Sequence, residues 1–440
     1  MWTYFPELLA RPVPRYTSYP TAAEFSVAAN AADQAEALDR VAPGEAISLY
    51  VHIPFCQEIC WYCGCNTARS NKSARLDAYL EALIAEIHTV AAHLNGRGRV
   101  SRIAFGGGSP NALSPTDFAR LCDALRLAFR ATDPVLSIEL DPRSFTPDWA
   151  SVLERQSVTR ASLGVQTFDP AIQARIGRIQ PRELIVDTVS ALRGNGVGSI
   201  NFDLMYGLPG QDSAVLEATI DETLKLMPER IALFGYAHVP HLLPRQRRIQ
   251  ADHLPGQDER FAMAQLGHDR LVAAGYEAIG FDHFALPHDA IAQAQREGRL
   301  HRNFQGFTED AAQVLIGLGA TSISQFPGLL VQNEKNSGRY RMKSLGGLLT
   351  GERGIRRDSD ERRCGQIIED LLCGRAATIT PLLGDAGLRE ALSPFLDRKL
   401  ATLDGGALAL TPDGRPYGRV IAALFDRHRG GEGQRFSTAV

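Results

Sequence analysis

The sequence predicts an α/β protein: a parallel curved sheet, a partial (β/α)6 TIM-like barrel, followed by a small, mainly helical C-terminal domain. Three observations predict it. From residue 46 onward, short β-rich runs alternate with longer helical patterns, and strands separated by helices pair in parallel through right-handed crossovers. Six such units imply a sheet that curves and closes at least in part; a flat doubly wound sheet is the alternative. All six strand candidates end in cysteine, glycine or polar groups. Barrel enzymes place their chemistry at that carboxyl rim, which a barrel built for stability alone has no need to decorate.

The strand candidates are 46–53 (AISLYVHI), 102–105 (RIAF), 136–141 (LSIELD), 160–166 (RASLGVQ), 199–207 (SINFDLMYG) and 230–238 (RIALFGYAH). Between the first two, Leu76, Tyr79, Leu80, Leu83, Ile84, Ile87, Val90 and Leu94 recur at helical spacing on one face. Helical patterns also fill 115–130, 181–196 and 214–227. Residues 245–345 read as further helix and loop, and the chain beyond 344 as mainly helical, with a turn-rich hairpin before a last helix. The resulting division is an N-terminal extension (1–45) contributing to the site, a barrel with its following segments (46–340), and a helical, winged-helix-like C-terminal domain (341–440).

Length and composition agree with this division. A chain of 440 residues holds a barrel plus an appendage, and 44% hydrophobic with 22% charged residues supports a substantial core. The net charge of −3 points to neither nucleic acid nor a membrane surface. The start, MWTYFPELLARPVPRYTSYP, lacks the basic and apolar regions of a secretory signal, and no apolar run reaches bilayer length. The expectation is therefore a cytoplasmic protein with reduced thiols. Cys122, Cys364 and Cys373, in helical-looking sequence, read as small core hydrophobes.

The other four of the seven cysteines crowd into LYVHIPFCQEICWYCGCNT, directly after the first strand. Cys56-x3-Cys60-x2-Cys63 brings three thiolates within reach of one centre, which suits an iron–sulfur cluster or zinc. Three ligands leave one iron of a [4Fe–4S] cube open. A structural zinc wants a fourth ligand, for which Cys65 or His52 is available. The Gly64 step is expected to turn Cys65 away from its neighbour's centre. The second strand ends in Gly106-Gly107-Gly108-Ser109-Pro110, and the others bring Glu139, Asp141, Gln166, Asp203, Ala237 and His238 to the same rim. A carboxylate at one strand end is as often a helix cap as a ligand; it is the shared rim that argues for one site.

The cysteine spacing and AFGGGSP resemble the radical S-adenosylmethionine superfamily. More narrowly, PRYTSYPTA, YVHIPFC, CGCN, GVQTFD, NFDLMYGLPGQ, GYAHVP, FDHFALP and HRNFQGF resemble the oxygen-independent coproporphyrinogen III oxidases, over nearly the whole chain and more weakly beyond residue 340. The resemblance implies that Cys56, Cys60 and Cys63 bind a [4Fe–4S] cluster whose open iron chelates S-adenosyl-L-methionine. Reductive cleavage then gives a 5′-deoxyadenosyl radical. It implies Tyr50, Gly107, Glu139, Gln166, Arg178, Asp203 and Ala237 as binders of that first S-adenosylmethionine. It further implies a second molecule near Tyr62, Cys65, Gly108, Ser109, Gln305 and Ile323, with Tyr62, Cys65 and Gln305 closest to the catalysis. Glycines admit close backbone approach, the carboxylates accept from an ammonium or ribose hydroxyls, and Tyr50 offers an aromatic face. The family's usual Gly-Gly-Gly-Thr-Pro-Thr is Gly-Gly-Gly-Ser-Pro-Asn here, which keeps the hydroxyl. Arg178 stands in GRIQP, where an acidic residue commonly follows the arginine.

The implied substrate is coproporphyrinogen III, two of whose propionates become vinyl groups by decarboxylation to give protoporphyrinogen IX. An electron donor such as flavodoxin or ferredoxin and an unidentified acceptor complete the partners, and the family implies a monomer. Four propionates call for cations, and Arg15, Arg245, Arg247, Arg248 and Arg302 are candidates on charge chemistry; any single one is as well explained as solvated surface. His238 and His283 are proton-handling candidates or satisfied hydrogen bonders. The alternatives are a haem chaperone of the same fold, another radical tailoring enzyme (a methyltransferase or cyclopropane-forming enzyme), and a zinc-stabilised barrel. CGCN and HRNFQGF stand where the chaperones carry Cys-Asp-Phe and a His-Asn…Tyr-Trp motif, which argues against the first.

Overall fold

All six expected strands form, within a computed structural model that describes residues 2–70 and 73–429. They are β1 (Ala46–Ile53), β2 (Arg99–Gly107), β3 (Val135–Leu140), β4 (Val158–Gln166), β5 (Ser199–Tyr206) and β6 (Arg230–Gly235). Further strands follow: β7 (Glu277–Ile279), β8 (His283–Ala285), β9 (Val314–Leu318), β10 (Ile323–Phe326), β11 (Leu329–Asn333) and β12 (Gly351–Arg356). One sheet contains them all, in the order β12-β11-β10-β9-β1-β2-β3-β4-β5-β6-β8-β7. From β9 through β6 the neighbours are parallel, and the outer strands are antiparallel. The barrel is thus partial, with the parallel arc at its centre.

The helices between these strands bury the faces the sequence pattern marks. On α1 (Ser73–Leu94), Tyr79, Leu80, Leu83, Ile87, Val90 and Leu94 are buried, and Leu76 and Ile84 pack against the same core. Pro115–Phe129, Arg182–Gly194 and Ser213–Leu226 match the remaining helical patterns closely. Helix Pro147–Arg155 is additional to those patterns; it starts at a proline after Thr146, a favoured first-turn position, and buries Trp149, Val152 and Leu153.

The stretch 245–345 differs from its helix-and-loop reading because it also supplies β7 to β11. Each of these strands has only three to five residues, and β9 and β11 are buried throughout. Strands that short and that uniformly buried show no alternation to read. The division drawn at 340/341 falls inside helix Ser337–Leu345, and the sheet continues through β12 to Arg356. Beyond it, helices Ser359–Leu372 and Ala386–Asp397 and a three-stranded sheet with the hairpin Ala401–Asp404/Ala407–Leu410 form a second core. Leu9, Val13, Tyr16 and Tyr19 of the N-terminal extension pack into that core. Residues 430–440 of the expected C-terminal domain lie outside the described residues.

Polar contacts fix the two ends of the barrel. At the amino end, Glu309 pairs with Arg102 on β2 and Arg160 on β4, with Arg230 on β6 at 3.8 Å. At the other end, the Tyr79 hydroxyl donates to His52 O at 2.8 Å and accepts from Ala320 N–H, tying α1 to the residues that lead into the cysteine loop. Two turns further along α1, buried Glu86 accepts from Gly319 N–H, Asn333 Nδ2, Tyr340 Oη and Thr350 Oγ1, joining α1 to the segments that follow β9.

Candidate active site

The cysteine loop is held at several points. Phe55–Cys56 pairs in parallel with Ala68–Arg69, closing its base. Trp61 N–H donates to Ile176 O, and the Trp61 ring lies so close to Gly177 (φ +65°) that a Cβ there would meet the indole nitrogen at 2.6 Å. The buried Gln246 side chain donates to both Tyr62 O (2.9 Å) and Ala237 O (3.0 Å), locking the loop after β6 to the cysteine loop.

A cavity of about 450 Å³ opens between this loop and the carboxyl ends of β2 to β6. Cys56, Cys60, Cys63, Cys65 and Tyr62 line one wall. Gly107, Gly108 and Ser109 from β2 and Glu139 from β3 line a second. Gln166, Arg178, Asp203 and Ala237 complete the ring, with Arg15 of the N-terminal extension at its edge. The single rim read from the strand ends is therefore one cavity.

Three expected residues stand behind it or beside it. Tyr50 is buried beneath the rim, its hydroxyl 3.1 Å from His52 Nδ1 and its ring edge-on to Phe304. Gln305, next to Phe304, is exposed at the turn of the hairpin 301–308. Ile323 begins β10, with its backbone against Gly317, the residue opposite Tyr50 in the β1–β9 register. They gather around Tyr50, next to the cavity, without lining it.

The glycines serve the protein's own packing. A Cβ on Gly107 (φ +108°) would meet the His52 ring at 2.4 Å, and one on Gly108 would meet Phe55 O at the same distance. The Ser109 hydroxyl is committed internally: it contacts Asn111 Oδ1 and accepts from Asp141 N–H. Gln166 takes a left-handed backbone conformation (φ +67°) at an irregular step in the β4–β5 register.

Asp141, a marked strand end without an assigned role, and Arg143, which no motif singles out, both belong to the site. Arg178 Nη1 and Arg143 Nη2 each lie 3.3 Å from Cys60 Sγ, and both guanidiniums pair with the Asp141 carboxylate. Burial works to raise the Asp141 carboxyl, but Arg178 and Arg143 outweigh it and hold the group ionised. The only sequence signal for Arg143 is its place two residues past a strand end.

Cys65 is not turned away from its neighbour. Its N–H donates to Cys63 Sγ at 3.4 Å, and its thiol donates to the same sulfur, which lowers the Cys63 thiol to about 6. Cys56 is pushed up to about 12 by burial, then by Cys63 and Cys60 beside it. Glu139 is exposed on the cavity wall; the protein packed around it, then Asp203, raises its carboxyl to about 7. Asp203, also raised by burial, accepts from Asn201 Nδ2 and Ser162 Oγ. The histidines are satisfied hydrogen bonders: His238 with Tyr236 Oη (2.9 Å) and His283 with Asp282 (2.6 Å).

The nominated arginines separate. Arg245 binds Thr67 at the loop base, and Arg248 lies over Trp61. Arg302 holds the backbone carbonyls of Arg15 and Tyr16.

The donor set fits an iron–sulfur cluster. Three soft thiols share one wall, their open side faces the cavity, and two guanidiniums donate to one sulfur, which suits a thiolate. Among the described residues no three His, Cys, Asp or Glu side chains converge tightly enough for a single ion. A four-iron cube takes its thiolates at wider spacing than one zinc does.

Comparison with known proteins agrees. A family model for the radical SAM superfamily matches residues 50–223. The oxygen-independent coproporphyrinogen III oxidase of Bradyrhizobium diazoefficiens is 40% identical over 437 residues, covering 97% of each chain. Anaerobic coproporphyrinogen III oxidase 1 of Cereibacter sphaeroides is 39% identical over 443 residues, covering 97% of this chain and 96% of the relative. The solved structure of coproporphyrinogen III oxidase from Escherichia coli, described as a radical SAM enzyme, superposes with a TM-score of 0.90 at 34% identity, over 97% of this chain and 99% of that one.

Proposed function

The chain belongs to the oxygen-independent coproporphyrinogen III oxidases of the radical S-adenosylmethionine superfamily, and on that premise we propose that it converts two propionates of coproporphyrinogen III to vinyl groups, giving protoporphyrinogen IX. The observation that carries this reading is the meeting of the three-cysteine loop and the glycine-rich strand end around one cavity, in a chain alike to such oxidases along its whole length. The relatives favour this reading over a haem chaperone or another tailoring enzyme.

When bound, the cluster and S-adenosylmethionine supply a 5′-deoxyadenosyl radical that removes a propionate β-hydrogen atom, after which carbon dioxide and one electron leave. The chain's own residues do the rest. Cys56, Cys60 and Cys63 hold the cluster, and Arg143 and Arg178 hold Cys60 in place by donating to its Sγ. Glu139 and Asp203 accept hydrogen bonds from an ammonium or ribose hydroxyls. Gln166, Arg178, Gly107 and Ala237 shape the same bed, and Tyr50 backs it from beneath. Tyr62, Cys65, Gly108 and Ser109, with Gln305 and Ile323 beside Tyr50, form the second S-adenosylmethionine site. A flavodoxin or ferredoxin supplies electrons, an acceptor removes one per vinyl formed, and the enzyme acts as a cytoplasmic monomer.

The test is anaerobic turnover of the cluster-loaded protein with S-adenosylmethionine, a reductant, coproporphyrinogen III and cell extract. The reading predicts 5′-deoxyadenosine and protoporphyrinogen IX together. Deoxyadenosine without the vinyl product reassigns the protein to a tailoring enzyme. Neither product from a full cluster rejects the radical chemistry.

A further inference from the structure

Arg143 lies just past the carboxyl end of β3, in the short turn Pro142–Ser144, and its side chain is only 9% exposed. Every nitrogen of its guanidinium is committed. Nε donates to both oxygens of Asp141 (3.0 and 3.2 Å), and Nη1 donates to Glu58 at 3.0 Å. Nη2 donates to Asp141 Oδ2 at 2.6 Å and to Cys60 Sγ at 3.3 Å. Asp141 is fixed in turn. Its carboxylate accepts from Arg143 N–H, and its own N–H donates to Ser109 Oγ and Asn111 Oδ1 at the end of β2. A planar fork thus reaches Cys60 from a rigid support.

The three spaced cysteines are not served alike. Cys60 takes two charged donors, Arg143 Nη2 and Arg178 Nη1, each at 3.3 Å. Cys63 takes the Cys65 N–H, and among the described residues no arginine donates to Cys63 or Cys56. Cysteines hold iron as thiolates, so a donor that carries a full positive charge offsets negative charge at the sulfur it touches. The potential of an iron–sulfur cluster follows its net charge, the hydrogen bonds to its sulfurs and its exposure. Arg178 and Arg143 both border the large cavity, but all three nitrogens of Arg143 are already taken by the protein.

We propose that Arg143 is a positioning residue that acts through Cys60: its guanidinium raises the reduction potential of the cluster and so sets how readily the cluster takes up an electron. In that step one electron passes from a one-electron reductant to the iron, with no proton taken up and no bond made or broken at Arg143. Glu58 works in the opposite sense. It sits on the other arm of the fork, its side chain 64% exposed, and its negative charge partly cancels that of the guanidinium. The inference rests on the cluster of the proposed function and holds whatever the substrate is.

The test is an anaerobic redox titration of the cluster-loaded protein with dithionite, without S-adenosylmethionine or substrate. The electron paramagnetic resonance signal of the reduced cluster reports the midpoint, after iron and sulfide contents have been matched. Arg143→Met is expected to shift the one-electron equilibrium roughly tenfold toward the oxidised cluster, a potential about 59 mV lower. Arg143→Lys keeps the charge without the fork and falls between Arg143→Met and wild type. Glu58→Gln moves the potential the other way, upward, and by less than Arg143→Met because an exposed charge is screened; low ionic strength sharpens the difference. Loosening of the loop does not give opposite shifts for the two partners of one ion pair. A wild-type potential in Arg143→Met overturns the proposal, as does a Glu58→Gln potential at or below that of wild type. Where Arg143→Met holds too little iron to titrate, Glu58→Gln decides by the same criterion. Opposite shifts in a protein that forms no protoporphyrinogen IX uphold this inference and reject the proposed function. A wild-type protein that assembles no cluster overturns both.

Discussion

Arg178 Nη1 stands 3.3 Å from Cys60 Sγ while the same guanidinium pairs with Asp141 and donates to Gly164 O at 2.6 Å. One side chain thus connects the cysteine loop to the ends of β3 and β4. A fork with several N–H groups in one plane does this, and a point charge does not. Arg178→Met is expected to destabilise the protein by about 3–5 kcal/mol, as when one partner of a buried pair is removed. Arg178→Lys should lose less and give up cluster iron faster to a chelator than wild type does. Thermal midpoints and timed iron release check both, and wild-type values for Arg178→Met would contradict the role.

Cys65 touches the sulfur of Cys63 without being one of the three spaced ligands. Cys65→Ser is expected to keep the cluster, by iron and sulfide content, and to lose vinyl formation by at least roughly tenfold, the scale of one lost polar contact. Loss of the cluster itself would show that Cys65 is a ligand.

Glu86 satisfies four donors from four separate segments in the buried core. Glu86→Ala leaves Gly319 N–H, Tyr340 Oη and Thr350 Oγ1 buried without this acceptor, while Asn333 Nδ2 keeps Gly317 O, Gly319 O and Ser322 Oγ, and it is expected to cost at least ~3 kcal/mol. Glu86→Gln keeps an acceptor and should cost less. Denaturant unfolding of the two variants measures the difference.

Glu309 gives the pH dependence. Burial opposes its ionisation, but Arg160, Arg230 and Arg102 prevail and lower it from 4.5 to about 2. Its folded pKa lies below the unfolded one. The stabilisation is therefore complete above about 4.5 and is lost as pH falls through about 2. The stability difference between wild type and Glu309→Gln should be a few kcal/mol at neutral pH and narrow between about pH 5 and pH 3. A difference that does not change over that range would remove Glu309 from the barrel's acid response.

Most of the parallel arc is legible in the sequence because its strands alternate with amphipathic helices long enough to show their period. Tyr79, Leu83 and Ile87 mark a buried helical face by their spacing alone. The later strands are not legible, since Val314–Leu318 and Leu329–Asn333 are short and buried on both faces. The site divides in the same way. Cysteines and glycines at strand ends are chemically distinctive, and they converge on the cavity as read. Arg143 and Gln246 are ordinary polar residues in loops, and only the fold shows that they reach Cys60 and Tyr62. Gly107 and Gly108 are required for a reason the sequence does not reveal, because His52 and Phe55 occupy the space that a Cβ on either would need. Charge alone does not sort the arginines: Arg302 binds the backbone carbonyls of Arg15 and Tyr16, while Arg245 binds Thr67 at the base of the cysteine loop.

The most direct measurement uses coproporphyrinogen III deuterated at the propionate β-carbons, with anaerobic turnover and mass analysis of the 5′-deoxyadenosine formed. The account predicts one deuterium in the deoxyadenosine recovered alongside the vinyl product. Vinyl product accompanied by unlabelled deoxyadenosine would contradict it.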